Sequence, residues 1–432
     1  MASEWREVEL GEVAEIVGGA TPDTRKPEYF GGDIPWITPK DLSGYGFRKI
    51  SRGERMLTIQ GLESCGAKLM PEGTVLLTSR APIGYVAISQ NPVCTNQGFK
   101  SLILKPKQDP LFYYYLLKHN TETLERHATG STFKEISTSV VRSIKFRVPE
   151  YSEQKRIAGI LGALDDKIEL NRKMNETLEQ MAKTLFKSWF VDFDPVHAKA
   201  AGRQPAGMDR ETADLFPDSL LDSELRKIPK GWEVCNLGST LDVLETGRRP
   251  KGGVGSYTSG VPSIGAESIN GIGVFDYSKT KYIPQEFFEG ISSGRVMHYD
   301  VLLYKDGGKP GEFKPRVGMF SHDFPFPIFC INEHVFRMRS DKLGQYFLYF
   351  LISDQRVLAD FANKGGKAAI PGINQPDVKS TLFVNPPREI ITAFNRSASH
   401  LCDRIIRNAL ENKSLADLRD TLLPELLSGA VS

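Results

Sequence analysis

Leu164-Asp165-Asp166-Lys167-Ile168-Glu169-Leu170-Asn171 returns 237 residues later as Leu401-Cys402-Asp403-Arg404-Ile405-Ile406-Arg407-Asn408. In both stretches the Leu, Ile and Asn positions follow a 4-3 spacing, the period of a coiled-coil seam. The row extends both ways. It reads Ile157, Leu161, Leu164, Ile168, Asn171, Asn175, Leu178, Ala182, Leu185 and Trp189 in the first copy. In the second it reads Phe394, Ala398, Leu401, Ile405, Asn408, Asn412, Leu415, Arg419, Leu422 and Leu426. Each row predicts a long helix, and at ~1.5 Å per residue the first seam is ~50 Å long. Pro149 and Pro386-Pro387 stand just ahead of the two rows, where proline is tolerated as a helix opens. Polar seam residues cost stability and fix register. An antiparallel pairing sets Asn171 opposite Asn412 and Asn175 opposite Asn408, whereas a parallel one sets Asn171 opposite Asn408. The spacing permits both. The antiparallel arrangement, with the two copies related by a pseudo-two-fold axis, is the expectation.

Outward from the seam the duplication continues. Trp5…Leu10-Gly11 matches Trp232…Leu237-Gly238, and Ile34-Pro35-Trp36-Ile37 matches Val261-Pro262-Ser263-Ile264, both at an offset of 227. Cys94 and Asn96 match Cys330 and Asn332 at 236, and Ile136 and Pro149 match Ile373 and Pro386 at 237. A nearly constant offset over separated blocks marks an internal repeat. The second copy carries some ten extra residues between Gly311 and Ile373. Short apolar runs such as Val75-Leu76-Leu77, broken by Gly and Pro, predict strands in the part preceding each helix. A helical patch interrupts each part, from Leu111 to Leu124 and from Gln345 to Phe361. The fold class is therefore α+β. The expected segments are a β-rich domain at 1–149, a helix at 150–192, a connector at 193–227, a second β-rich domain at 228–385 and a second helix at 386–432. The connector holds the small, polar run Ala198 to Gly207 and is long enough to cross back along a helix while only partly extended.

Composition excludes several classes. Of 432 residues, 40% are hydrophobic and 25% charged, an ordinary globular balance. Lys and Arg number 55 against 53 Asp and Glu, a net charge of +2, so any polyanion site rests on local clustering. There is no apolar run long enough to span a bilayer, and the N-terminus lacks a signal-peptide core. Five cysteines without CxxC spacing argue against a disulfide framework or a cysteine zinc site. The expectation is a reduced cytoplasmic protein with no membrane partner.

The ordered set of motifs resembles the specificity (S) subunit of type I restriction–modification systems. The resemblance is carried by Gly130-Ser131-Thr132-Phe133-Lys134-Glu135-Ile136-Ser137, Glu153-Gln154-Lys155-Arg156-Ile157-Ala158, Leu164 to Asn171, Phe190-Val191-Asp192-Phe193-Asp194-Pro195 and Ile228-Pro229-Lys230-Gly231-Trp232. It spans the whole chain, including the duplicated order. The second copy departs at Pro371-Gly372, where the first has Lys134-Glu135. The resemblance implies two target-recognition domains, each reading half of a split site in double-stranded DNA. It also implies helical spacers that set the gap and dock two methyltransferase subunits, with restriction subunits joining that core. No catalysis is implied for this chain, nor any cofactor. S-adenosylmethionine belongs on the partner methyltransferase subunit.

The motifs that tempt a catalytic reading are weak. Asn385-Pro386-Pro387-Arg388 has Arg388 where amino-methyltransferases carry an aromatic residue, and Pro386-Pro387 also serves as a helix start. Gly252-Gly253-Val254-Gly255-Ser256 reads as a loop. Lys305-Asp306-Gly307-Gly308-Lys309 and Asn363-Lys364-Gly365-Gly366-Lys367 do not fit a P-loop. Pro217-Asp218 with Glu224-Leu225-Arg226-Lys227 only faintly matches a nuclease pattern, and the histidines lack metal-ligand spacing. A stand-alone methyltransferase or nuclease, and a duplicated coiled-coil adaptor binding protein or glycan, are the alternative classes.

Candidate DNA contacts are cations and amides on Gly/Pro-broken loops. In the first domain these are Lys40, Arg80, Asn96, Gln97, Lys100 and Lys134. In the second they are Arg248, Arg249, Lys251, Lys305, Lys309, Lys314, Arg316 and Lys367. Arg pairs bidentately with guanine and Asn or Gln with adenine, so Arg80, Asn96 and Gln97 are the better base readers. The lysines suit phosphates.

Overall fold

The computed structural model describes residues 5–80, 82–130, 134–309, 311–321, 323–366 and 371–429. The chain forms two compact units, Met1–Leu170 with Ser414–Ser432, and Asn171–Lys413. Each unit keeps the helical stretches that pack on it.

In the first unit a five-stranded sheet runs in the order Ala14–Gly18, Lys100–Leu104, Val75–Ser79, Ile83–Ser89, Lys49–Ile50. Its last pairing, Lys49 with Ile88, is parallel and the others are antiparallel. Val75–Ser79 is buried along its whole length, as its apolar run requires of a central strand. A three-stranded sheet sets Phe30–Ile37 between Arg55–Leu57 and Cys94–Thr95, and Arg6–Glu9 pairs with Lys145–Val148.

The second unit repeats this plan strand for strand. Its five-stranded sheet is Val243–Thr246, Val335–Arg339, Val301–Tyr304, Val317–Met319, Gly271–Ile272, again with the last pairing parallel. Val261–Ile264 lies between Lys281–Ile283 and Cys330–Ile331, and Glu233–Asn236 pairs with Leu382–Asn385. Trp36 pairs with Cys94 where Ser263 pairs with Cys330, and each cysteine donates Sγ to the equivalent proline carbonyl, Pro35 at 3.2 Å and Pro262 at 3.7 Å. Duplication is thus visible in register as well as in sequence.

The helical patches each divide into two helices. Pro110–His119 is capped by Asp109, which accepts from the Leu111 and Phe112 amides, and Thr121–Arg126 follows. In the second unit these become Gln345–Ile352 and Gln355–Gly365. The first helix of each pair lies in its unit's core through Phe112 to Leu117 and Phe347 to Ile352.

The seam rows form the helices Tyr151–Phe186 and Arg388–Ser428. Within the second unit, Asn171 Nδ2 donates to Asn412 Oδ1 and Asn408 Nδ2 to Asn175 Oδ1, so the pair is antiparallel. Leu178, Ala182, Leu185, Phe394, Ala398, Leu401 and Ile405 share that unit's core. Within the first unit Ile157, Leu161, Leu422 and Leu426 pack together, Ile168 is buried, and Leu164 and Leu415 are half-buried.

The segment 193–227 is not an extended crossing. It forms the helices Asp194–Ala200 and Arg210–Asp214 and a short pairing of Leu220–Leu221 with Ile228–Pro229. Phe193, Val196 and Phe216 are buried with Trp189, Phe190 and Trp232. Burying these aromatics outweighs the freedom the polar run would have if extended. Arg226, dismissed above as part of a nuclease pattern, closes the end of the first helix. Its guanidinium donates to the Val191 carbonyl at 2.6 Å and the Phe190 carbonyl at 3.1 Å and lies over the Phe193 ring. Asn385-Pro386-Pro387-Arg388 is likewise structural. Asn385 ends a strand, and the Pro387 carbonyl accepts from Ile390 and Ile391 as the helix opens.

Candidate nucleic-acid interface

Three loops converge at one end of each five-stranded sheet. In the first unit the strand Val75–Ser79 delivers Arg80. The Ser79 amide donates to the Gly98 carbonyl at 2.8 Å, joining the Asn96–Gly98 turn, and the Ile136 amide donates to Ser79 at 3.0 Å. That last bond sits beside the reciprocal backbone bonds between Thr129 and Glu135. Asn96 shapes its turn by accepting the Gly98 amide at 2.9 Å. A Cβ on Gly98 would stand 2.9 Å from Pro39 Cγ, so glycine lets the Pro39–Leu42 helix, with Lys40, lie against this turn.

The second unit builds the same edge. The Lys305 amide donates to the His334 carbonyl at 3.1 Å, the Ile373 amide to Lys305 at 2.7 Å, and the Gly307 amide to Pro371 at 2.8 Å. Asn332 accepts the His334 amide at 3.0 Å, as Asn96 accepts Gly98. The Gly247 amide donates to the Asn332 carbonyl at 3.2 Å, which brings the loop of Arg248, Arg249 and Lys251 to the same place.

The polar groups on the two edges differ. In the first, Glu135 faces two cations, Lys100 Nζ at 3.2 Å and Arg80 Nη1 at 3.7 Å. In the second, Asp306 stands where the first has Arg80, and the loop position matching Glu135 is Gly372, bridged to it. Lys305 pairs with Asp306, and His334 Nδ1 lies 2.5 Å from Asp306 Oδ1. His334 Nε2 is 3.4 Å from Glu333, which in turn holds Arg249 Nε at 2.6 Å. One edge thus sets a carboxylate between two cations. The other sets two carboxylates among cations and an imidazole.

Not every candidate cation is presented to solvent. Lys100 is buried and turned to Glu135, and Arg316 is held inward, donating to Asn270 Oδ1 and the Ala266 carbonyl and stacking on Tyr304. The Asn96 carbonyl oxygen is engaged in its own turn. Lys40 pairs with Glu54 and Lys314 with Glu312, each at 2.6 Å and exposed, and each hydrogen bond raises its lysine above the usual value. Gln97, Lys134, Arg248, Lys251 and Lys309 are exposed, and the four cations among them have no ion pair among the described residues. Lys367 lies outside the described residues, as do Ser131, Thr132 and Phe133. A search for cations and amides alone misses Glu135, Asp306, Glu333 and His334. Carboxylates accept from the cytosine amino group, and that is the signal to add.

Among the described residues no cluster of three metal-ligating side chains occurs, and no helix is long and apolar enough to cross a membrane. All five cysteines are free thiols.

Residues 2–180 match the family model described as a type I restriction modification DNA specificity domain. The chain is 34% identical, over 99% of its length and 93% of the relative's, to the specificity subunit of the type I restriction enzyme MjaIX from Methanocaldococcus jannaschii. This chain belongs to the specificity subunits of type I restriction enzymes. The HindI specificity subunit of Haemophilus influenzae is 26% identical over 99% of this chain and all of its own. Among solved structures, the S subunit of a type I restriction–modification system from M. genitalium matches with a TM-score of 0.57 at 14% identity, covering 98% of this chain and 96% of that one. That likeness extends the shared fold to both repeats. As a specificity subunit the chain is the DNA-recognition component of a type I restriction–modification system.

Proposed function

We propose that the chain reads a bipartite target in double-stranded DNA, one half-site per β-rich part, and supplies no catalysis itself. The observation that carries this is the pair of equivalent three-loop edges bearing different polar groups. The equivalent scaffolds on this reading give two readers, and Glu135 with Arg80 against Asp306 with His334 and Lys305 give them different half-sites. On this reading Gln97, Arg80 and Arg248 meet base edges. Lys40, Lys134, Arg249, Lys251, Lys305, Lys309, Lys314 and Lys367 serve phosphates, while Asn96, Lys100 and Arg316 hold the loops. Two methyltransferase subunits dock on the paired helices and carry S-adenosylmethionine. Restriction subunits join them, in the cytoplasm, and helix length sets the gap.

The test is a map of methylated adenines made by the chain with its methyltransferase partner. Replacing residues 1–148 with the matching part of a relative is expected to change one half-site and leave the other. A change in both halves, or methyl transfer by the purified chain alone, overturns the reading.

A further inference from the structure

The long helices carry polar residues off the seam that bond to the rest of their own unit, Glu169 and Asp403 partly withdrawn from solvent and Asp166 exposed. In the first unit Arg48, 6% exposed, sits just before the edge strand Lys49–Ile50. Its Nε and its backbone amide both donate to Glu169 Oε1, at 2.9 and 3.1 Å. Its Nη1 reaches the Gly162 carbonyl at 3.3 Å, and its Nη2 pairs with Asp166. A Cβ on Gly162 would stand 2.9 Å from Leu111 Cδ2 and 3.5 Å from Arg48 Nη1, so the helix surface passes close to both side chains here. Gln154 adds a second tie one end further along, accepting the Asp109 amide at 3.0 Å and donating to Gln108 Oε1 at 3.1 Å.

The second unit solves the same problem with other residues. Asp403, the counterpart of Asp166, accepts from the hydroxyls of Tyr346, at 2.8 Å, and Tyr299. Tyr299 holds φ at 58°, a left-handed backbone that an aromatic residue adopts only at a cost. Asn395 does the work of Gln154, accepting the Phe347 amide at 2.8 Å and donating to the Leu343 carbonyl at 2.7 Å.

Apolar packing is non-directional and lets a domain rock on a helix, whereas hydrogen bonds hold an angle. We infer that Arg48 with Asp166 and Glu169, and Tyr299 and Tyr346 with Asp403, are positioning residues. They fix the angle at which each recognition part stands on its helix, and so how strictly the assembled enzyme measures the gap between half-sites. The inference rests on the bipartite reading proposed above.

The test uses Arg48→Met and the pair Tyr299→Phe/Tyr346→Phe, which remove the polar ties, keep most of the bulk and lie away from the reading edges. Each full-length variant is assembled with its methyltransferase subunits and given a DNA library with the wild-type half-sites and gaps one base pair shorter, equal and one longer. The expected result is unchanged half-site bases and a preference for the native gap reduced about tenfold, the scale of a single charged hydrogen bond, with Arg48→Lys restoring part of it. A purely structural role lowers methylation equally at all gaps and leaves the preference intact. That outcome, altered half-site bases, or loss of methylation at every gap overturns the inference. If Arg48→Met does not fold, the tyrosine pair decides alone. A wild-type complex that recognises no bipartite site refutes the functional reading instead.

Discussion

Asn171 Nδ2 donates to Asn412 Oδ1 at 3.0 Å in the middle of two rows of apolar residues, and Asn171 is fully buried there. The neighbouring layer repeats the arrangement in the opposite sense, Asn408 Nδ2 donating to Asn175 Oδ1 at 2.8 Å. A heptad pattern alone tolerates shifts by one heptad, because every apolar layer resembles the next. Two adjacent Asn layers admit one register, since any shift leaves buried amides facing leucine.

This predicts a sign pattern in a double-mutant cycle. Asn408→Leu strands the Asn175 carbonyl oxygen and should destabilise the second unit by about 1–3 kcal/mol. Adding Asn175→Leu removes the orphan and should recover most of the loss, because replacing both partners with apolar groups is nearly neutral. Urea unfolding followed by circular dichroism measures both. Strictly additive losses would show that the two amides do not act as a pair.

Arg419 occupies a seam position, where a charge is costly unless paired. Its Nη1 lies 2.6 Å from Asp165 Oδ1, and Tyr115 donates its hydroxyl to Asp165 Oδ2 at 2.6 Å. Both members of the ion pair are largely withdrawn from water. Arg419→Leu should therefore cost about 3–5 kcal/mol by stranding the carboxylate, while Arg419→Leu with Asp165→Asn should cost much less. The melting temperature of the first unit reports the difference. Equal losses in the two variants would mean the pair is solvated.

What the sequence reveals of this chain follows the range of its interactions. The seam, the Asn layers and the duplication are local or periodic, and the antiparallel pairing is among the arrangements the spacing permits. Arg48, Tyr299 and Tyr346 carry no such signal, because their partners on the helices lie far off in the chain: Arg48 and Glu169 are 121 residues apart. The run from Ala198 to Gly207 reads as a free connector. The packing of Phe193, Val196 and Phe216 against Trp232 becomes evident only in three dimensions. Lys100 looks like any loop lysine until Glu135 is seen beside it.

The repeated cysteines offer a chemical check on the two three-stranded sheets. Burial pushes the Cys94 thiol up to about 12 and Cys330 to about 11. Only the thiolate alkylates, so at pH 8 the ionised fraction of Cys330 is about one in a thousand, and that of Cys94 is lower still. Native protein treated with iodoacetamide at this pH should label at half-exposed Cys65 while Cys94 and Cys330 stay unmodified, with labelling of the buried pair rising as pH rises or on denaturation. Peptide mass spectrometry reads each site. Rapid labelling of Cys94 in the native protein would contradict the pairing of its strand with Phe30–Ile37.

The antiparallel Asn layers also dictate how the helices must be lengthened to test whether they measure the gap. Because Asn171 faces Asn412 while Asn175 faces Asn408, an insert after Asn171 is matched by one after Glu411, not by one at the equivalent repeat position. Seven residues at each point keep the heptad phase and preserve both Asn layers. They also leave Asp403 with its tyrosines and Asp165 with Arg419. One heptad adds about 10.5 Å of helix, or about three base pairs at 3.4 Å each. Three base pairs also turn the second half-site by about 100°, so activity should fall. We expect the remaining methylation at unchanged half-sites separated by about three more base pairs. The same inserts placed after Asn175 and Asn412 shift the pairing on both sides of the Asn layers and should abolish assembly. A lengthened, active enzyme that keeps the original gap would eliminate the helices as the measuring element.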